Sequence, residues 1–395
     1  MLIQIIVSLI LGMAAGIFTG LTPGIHINLV GAVLVSLSAS LFSGINPVYL
    51  VVFIVSMSII HVFVDFIPSI FLGAPEDGTE LSVMPGHEML KKGLGFQAIC
   101  LTSLGCLYGV FIFVLSIIPL SLIALKINGI IIKLIPFVLI LISLSLVLME
   151  KKKFNALVAF ALSGILGLIV LNIEFKEPLL PMLSGLFGAS SLILSIKSKT
   201  KIEKQDTKSV VKIKKLKILL TSSLVSPLSI FLPALSSGQI AVIGNQISKS
   251  DKEGFLFMLG IINTLAMSFS FLALFLLSKT RTGSAASVME LIGAPDKNIF
   301  ILIIIIILIS GITSFLVSRI LARNFLILLE KINYTKLSVA VLFIITFVVF
   351  FASGFFGLIV LAVSTFTGVY CISLGVRRTQ MMSCLLLPTI IIYLF

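Results

Sequence analysis

Two long apolar runs flank the stretch Asp65–Lys92, DFIPSIFLGAPEDGTELSVMPGHEMLKK, and this interruption limits what the chain can fold into. It gathers Asp65, Glu76, Asp77, Glu80, His87 and Glu88 among Pro68, Pro75, Pro85, Gly73, Gly78 and Gly86. Proline removes backbone donors and glycine frees the backbone, so the stretch cannot be lipid-facing helix. Non-helical backbone at membrane depth is tolerated only where protein or water surrounds it. Apolar segments broken in this way, with polar residues at the break, mark solute sites. The stretch is read as one half of such a site.

The membrane setting follows from composition. Of 395 residues, 59% are hydrophobic and 11% charged, against about 25% charged in soluble domains. Mean hydropathy is +1.26. At roughly 20 apolar residues per crossing, about ten transmembrane segments are expected. The fold class is therefore an all-α polytopic membrane protein, in the cell membrane, with broken or re-entrant helices. The apolar run from Leu2 lacks a basic leader and is read as the first membrane segment. The net charge of +13 suits basic loops facing an anionic leaflet and its lipids better than nucleic acid. Cys100, Cys106, Cys371 and Cys384 form no C-x-x-C pair and read as small core residues. No metal site or resident cofactor is indicated.

Along the chain, Thr19–Asn28 reads TGLTPGIHIN. Thr22 before Pro23 looks like an N-cap with proline at the first helical position, followed by Gly24. A half-helix starting here would present free N–H groups and a partial positive charge, with His26 and Asn28 in its first two turns. Asn46-Pro47 opens a span to about Ile70, on which His61 and Asp65 share one face. They form either a structural pair or part of an ion path. Glu76 and Asp77 read either as caps of a second half-helix or as coupling groups. Asn128-Gly129 is an expected turn between Lys126 and Lys133. Nine lysines crowd residues 197–217, leaving +7 there, so this segment is read as a cytoplasmic linker. It separates a first transmembrane half, 1–196, from a second, 218–395.

The second half repeats the pattern of the first. Pro233 and Gly238 interrupt SPLSIFLPALSSGQIAVIGNQI, where Ser236 and Ser237 would cap a half-helix carrying Gln239 and ending near Asn245. A span with Asn263 and Thr264 follows, and then a second break with Lys279 and Arg281. Gly78-Thr79-Glu80-Leu81-Ser82-Val83-Met84 and Gly283-Ser284-Ala285-Ala286-Ser287-Val288-Met289 both read G-[ST]-x-x-S-V-M. Break, span and second break in the same order in both halves point to an inverted repeat.

The segment SIFLGAPEDGTELSVMPGHEMLKKGLGFQA resembles the signature of the tripartite tricarboxylate transporter large permease subunit, the TctA family. The resemblance rests on Gly73, Pro75, Gly78, Pro85, Gly86, His87, Lys91, Lys92 and Gly93. GLTPGIHINLVGA is similar to the family's first Gly-Pro-Gly loop. The resemblance implies a permease with a small membrane subunit and an extracytoplasmic binding protein as partners. Glu76-Asp77-Gly78 departs from the family's Gly-Thr-Pro, adding negative charge where a carboxylate would dock.

The function expected is a secondary transporter of a small organic anion, such as a di- or tricarboxylate, coupled to Na⁺ or H⁺. Thr22, Pro23, Gly24, His26, Asn28, Gly78, Thr79, Ser236, Ser237, Gln239, Gly283 and Ser284 are the expected substrate contacts, since helix N-termini hold anions. Asp65, Glu76, Asp77 and Glu80 are the expected ion-coupling acids. The alternative is a lipid-phosphate (polyprenyl phosphate) translocase, which would need a groove open to lipid. An enzyme is not expected: His61 and Asp65 lack the glutamate of H-E-x-x-H, and no serine-nucleophile or Walker motif is present.

Overall fold

The computed structural model describes residues 2–22, 27–38, 42, 44–73, 78–197, 204–207, 215–231, 236–329 and 334–394. All regular structure among them is helical. The helices are α1 (Leu2–Leu21), α2 (Ile27–Ser38), α3 (Pro47–Val64), α4 (Phe66–Leu72), α5 (Val83–Lys91), α6 (Gly95–Leu148), α7 (Lys153–Asn172), α8 (Leu179–Leu183) and α9 (Ser190–Lys197). They continue with α10 (Lys215–Val225), α11 (Leu228–Phe231), α12 (Ser237–Ser248), α13 (Lys252–Leu277), α14 (Gly283–Ile292), α15 (Lys297–Leu329), α16 (Tyr334–Ser373) and α17 (Ser383–Leu394). Short 3-10 turns stand at Glu80–Ser82 and Arg378–Met382, and a π-helical stretch at Ser184–Ala189 joins α8 to α9.

Seven helices among the described residues are long and apolar enough to cross a membrane, and four shorter apolar helices accompany them. This is a multi-pass membrane protein. Two crossings are buried along nearly their whole length: Pro47–Leu72, which joins α3 to α4, and Lys252–Leu277, which is α13. Both are apolar around the full circumference, the pattern of a helix surrounded by protein. The other crossings turn Leu, Ile, Val and Phe outward, as lipid contact requires.

Small residues decide which helices pack together. Lipid tails are as apolar as leucine, so helices associate in membranes through close packing rather than water exclusion. Gly12 and Gly16 bring α1 onto α3: a Cβ on either would lie 2.4 Å from a carbonyl oxygen, that of Phe53 or Met57. Gly105 and Gly109 of α6 bed on α13, where a Cβ would lie 2.1 Å from the Phe257 carbonyl and 2.8 Å from that of Ile261. Gly260 returns the contact against the Thr102 carbonyl, at 2.2 Å. A second, smaller core joins α7, the α8–α9 stretch, α16 and α17. There Gly167 abuts the Cys384 carbonyl and Gly368 that of Leu186.

α6 is helical through Asn128-Gly129, where a turn was expected. It contains Pro119 and Pro136, each of which removes a rung of the hydrogen-bond ladder. A straight helix of 54 residues would run about 81 Å. Yet Glu88, just before it, and Met149, just after it, line one cavity. The element therefore folds back on itself, as the expected turn would have required, but does so through bent helix. α16 also kinks, at Gly354, with φ 68° and ψ −166°.

Crowding at Gly105 gives a direct test. Gly105→Ala pushes a methyl into the Phe257 carbonyl and should cost about 1–3 kcal/mol. Gly44→Ala, with nothing within 4 Å of the new methyl, should be near neutral. Thermal melts in detergent compare the two; equal midpoints would remove the close-packing account of the α6–α13 pair.

Candidate functional site

The polar break in the second part of the chain forms by local rules. Ser236 stands in extended backbone before α12, and its Oγ accepts the Gln239 N–H at 3.3 Å. The Gln239 Oε1 accepts the Ser236 N–H at 3.1 Å, completing a capping box. A backbone donor thus fixes the orientation of the Gln239 amide. Its Nε2 is buried with no hydrogen-bond partner. An orphaned donor in a dry setting is costly unless a ligand or water completes it.

Ser237, the next residue, reaches both neighbouring elements. Its Oγ lies 3.2 Å from the Gly78 carbonyl and 2.9 Å from Asn263 Oδ1, so one proton is shared between two acceptors. Asn263 lies midway along α13, and its Nδ2 is a second buried donor without a partner. Gly78 closes the group from the other side. At φ 95° it occupies left-handed backbone, and a Cβ would come 2.4 Å from Asn263 Oδ1 and 2.5 Å from Ser237 Oγ. Only glycine meets both conditions. Thr79 is fully buried, with Oγ1 2.7 Å from Ser69 Oγ, and Ser69 in turn donates to the Asp65 carbonyl at 2.7 Å.

The structure therefore brings together Gly78, Thr79, Ser236, Ser237 and Gln239, five of the expected contacts. It adds Asn263 and Ser69, which had not been assigned to the site. A polar side chain within a buried apolar span was the available signal for both. Asp65 is buried where α3 meets α4, one turn from His61 on the same face. Thr19 Oγ1 lies 3.2 Å from the Gly16 carbonyl and 3.0 Å from His61 Nδ1.

Ser284 and Gly283 belong to a separate contact. The Ser284 and Ser58 hydroxyls lie 2.7 Å apart, Thr282 caps α14, and Ser287 packs on Gly31 of α2. Thr22 ends α1, its N–H bonded to the Phe18 carbonyl. Pro23, Gly24, His26, Glu76 and Asp77 lie outside the described residues. Asn28 and Glu80 are placed as backbone, one the second residue of α2 and the other the first of a 3-10 turn. Lys279 is exposed in the loop that follows α13.

His87 stands beside this region on α5, its Nδ1 3.1 Å from the Ile70 carbonyl. Burial pushes its pKa down to about 4; the Ile70 bond opposes this, and the Lys91 and Arg378 charges add to it. The imidazole is therefore neutral at pH 7, donating Nδ1–H. The unfolded chain takes up this proton near pH 6.5, before the folded one does, so stability is full above that value and falls as pH drops towards 4. The melting midpoint in detergent should decline across that window, and His87→Gln should flatten the decline. The same pH profile in both proteins would exclude His87 as its source.

Comparison with known proteins now adds to the geometry. Residues 6–383 match the model of the tripartite tricarboxylate transporter TctA family. An uncharacterized protein of Methanocaldococcus jannaschii is 30% identical over 397 residues, with 98% of each chain covered. No solved structure matches. The matched model describes a family of membrane permeases rather than enzymes. With nearly its whole length matched, the chain belongs to the tripartite tricarboxylate transporter TctA family.

Proposed function

We propose that the protein is a secondary transporter that carries a small organic anion, of the di- or tricarboxylate class, through the Gly78–Ser237–Asn263 region. The observation that carries this reading is the Gln239 amide, whose Nε2 donors are buried and unanswered at the start of α12. A carboxylate would accept from them and from the Asn263 amide, and the positive end of α12 would favour its charge. Na⁺ or H⁺ would couple through Asp65, Glu76, Asp77 or Glu80. In keeping with the family's name, a small membrane subunit and a substrate-binding protein are the expected partners.

Two repeat-related halves, 1–196 and 218–395, joined by a cytoplasmic linker at 197–217, form part of the same proposal. Position numbers support it. Lys252 stands 205 residues after Pro47, Asn263 after Ser58, Leu277 after Leu72 and Gly283 after Gly78. Contacts agree: Ser284 meets Ser58 as Gly78 meets Asn263, each second break lying on the buried central helix of the other half. That exchange is what an inverted repeat around a shared midplane site produces. The breaks in each half are read as re-entrant.

Gln239→Glu tests the site without unmaking the helix, because glutamate at this position also completes a capping box. Losing donors to a charged group costs about 1.5–3 kcal/mol. Citrate or succinate uptake into proteoliposomes should therefore fall at least about tenfold with the melting midpoint retained. Undiminished uptake would refute the assignment of Gln239. In the same assay Glu76→Gln, Asp77→Asn and Glu80→Gln report on coupling. At least one should abolish the dependence on Na⁺ or pH, and a full dependence in all three would leave Asp65 as the acid to test.

A further inference from the structure

A cavity of about 560 Å³ opens where α5, α12, the start of α13 and the Arg378–Met382 turn meet. Its size lies within the range of ligand pockets, about 300–1,000 Å³. Leu81, Pro85, Met149, Val242 and Phe255 give it an apolar wall. Its charges do not cancel. Glu88 is engaged by Lys252, and Asp251 accepts the Gly254 N–H as the cap of α13. Arg377 is engaged by Glu150, which lies outside the lining. Arg378 and Lys249 remain against the Asp251 carboxylate, which leaves one positive charge in excess. Arg378 Nη1 donates to Ser191 Oγ at 2.6 Å, while its Nε is buried with no partner. A guanidinium lining a cavity with an apolar wall favours an anionic acceptor.

The cavity also shares its walls with the proposed transport site. α12 begins at Ser237 and continues to Gln246 and Lys249 at the cavity, about 14 Å along the helix from Ser237 to Gln246. The segment from Gly78 contributes Leu81, Pro85 and Glu88. Leu81, a lining residue, also lies on Gly238, the neighbour of Ser237, its Cδ1 3.1 Å from where a Cβ would stand.

We infer that this cavity is an anion-receiving vestibule, with Arg378 as the docking group, Lys249 as a second cation and Leu81 as the plug between it and the Ser237–Asn263 region. The vestibule would take a carboxylate or phosphate headgroup on a partly apolar body, and it deepens the transport reading by naming where the anion waits. Gln205 and Asp206 of the lysine-rich segment bond to the α5–α6 corner.

The test is thiol labelling of Gln246→Cys in the full chain with Cys100→Ser, since the other three cysteines are buried. Labelling in detergent is followed with citrate, succinate, inorganic phosphate and farnesyl phosphate as probes. At least one should slow labelling at Gln246→Cys. Arg378→Gln should raise the half-protecting concentration at least about tenfold. Lys249→Asn keeps a residue that tolerates left-handed backbone and sits at an exposed site. It should weaken protection without unfolding the protein, even if Arg378→Gln fails to fold. Absence of protection by all four probes, or protection indifferent to both substitutions, overturns the vestibule. Uptake in proteoliposomes separates the two proposals. Citrate uptake without protection leaves the transporter and removes the vestibule; protection by farnesyl phosphate alone, with no citrate uptake, keeps the vestibule and removes the small-carboxylate reading.

Discussion

The approach of Gly78 to Ser237 and Asn263 is the contact on which the centre of this protein depends. Two segments far apart in sequence meet there in a region with little water to satisfy stray polar groups. Any side chain at Gly78 would collide with both partners. Separating them would leave the Gly78 carbonyl, the Ser237 hydroxyl and the Asn263 amide without one another. Unmet polar groups cost several kcal/mol each in hydrocarbon. The contact is therefore held tightly, while the neighbouring Gln239 amide is left with donors to spare. An arrangement that holds its frame in place and leaves the Gln239 and Asn263 amides with unanswered donors suits a site that binds and releases a solute.

Around that centre, packing relies on the absence of side chains. α1 on α3, α6 on α13 and α7 on α17 are each brought to backbone contact by glycine. Such pairs move as units, because sliding one helix lifts a glycine off a carbonyl and drives a side chain into its place. The larger cluster contains both buried central helices, and the smaller gathers α7, α16 and α17. α16 and α17 contribute to both clusters, through Leu361 and Leu386 to the larger and Val360 and Cys384 to the smaller.

Much of this was readable in the sequence, for reasons that differ by residue. Ser236 and Gln239 obey short-range capping rules, so that helix start needed no tertiary information. Gly78 stood out because a left-handed or crowded site is where glycine is required. Asn46 and Pro47 opened a span that ends at Leu72, close to the expected end. What could not be read was partnership. That Ser237 faces Gly78, or that Ser58 faces Ser284 across 226 positions, depends on long-range packing that periodicity does not encode. Arg378 went unassigned because an arginine after a Gly375 break resembles an ordinary helix-end anchor. Asn128-Gly129 has turn composition, yet bent helix makes the reversal.

The lysine-rich segment looked like a loose soluble strap. Instead the Gln205 side chain bonds both the Gly95 N–H and the Leu90 carbonyl, and the Asp206 N–H bonds the Gly93 carbonyl. The connection between α9 and α10 is therefore anchored at Gln205 and Asp206. Lys215, the start of α10, stands nine positions after Asp206, so the two can lie no more than about 30 Å apart. The anchored segment thus sets an upper bound on how far the start of α10 can stand from the corner between α5 and α6.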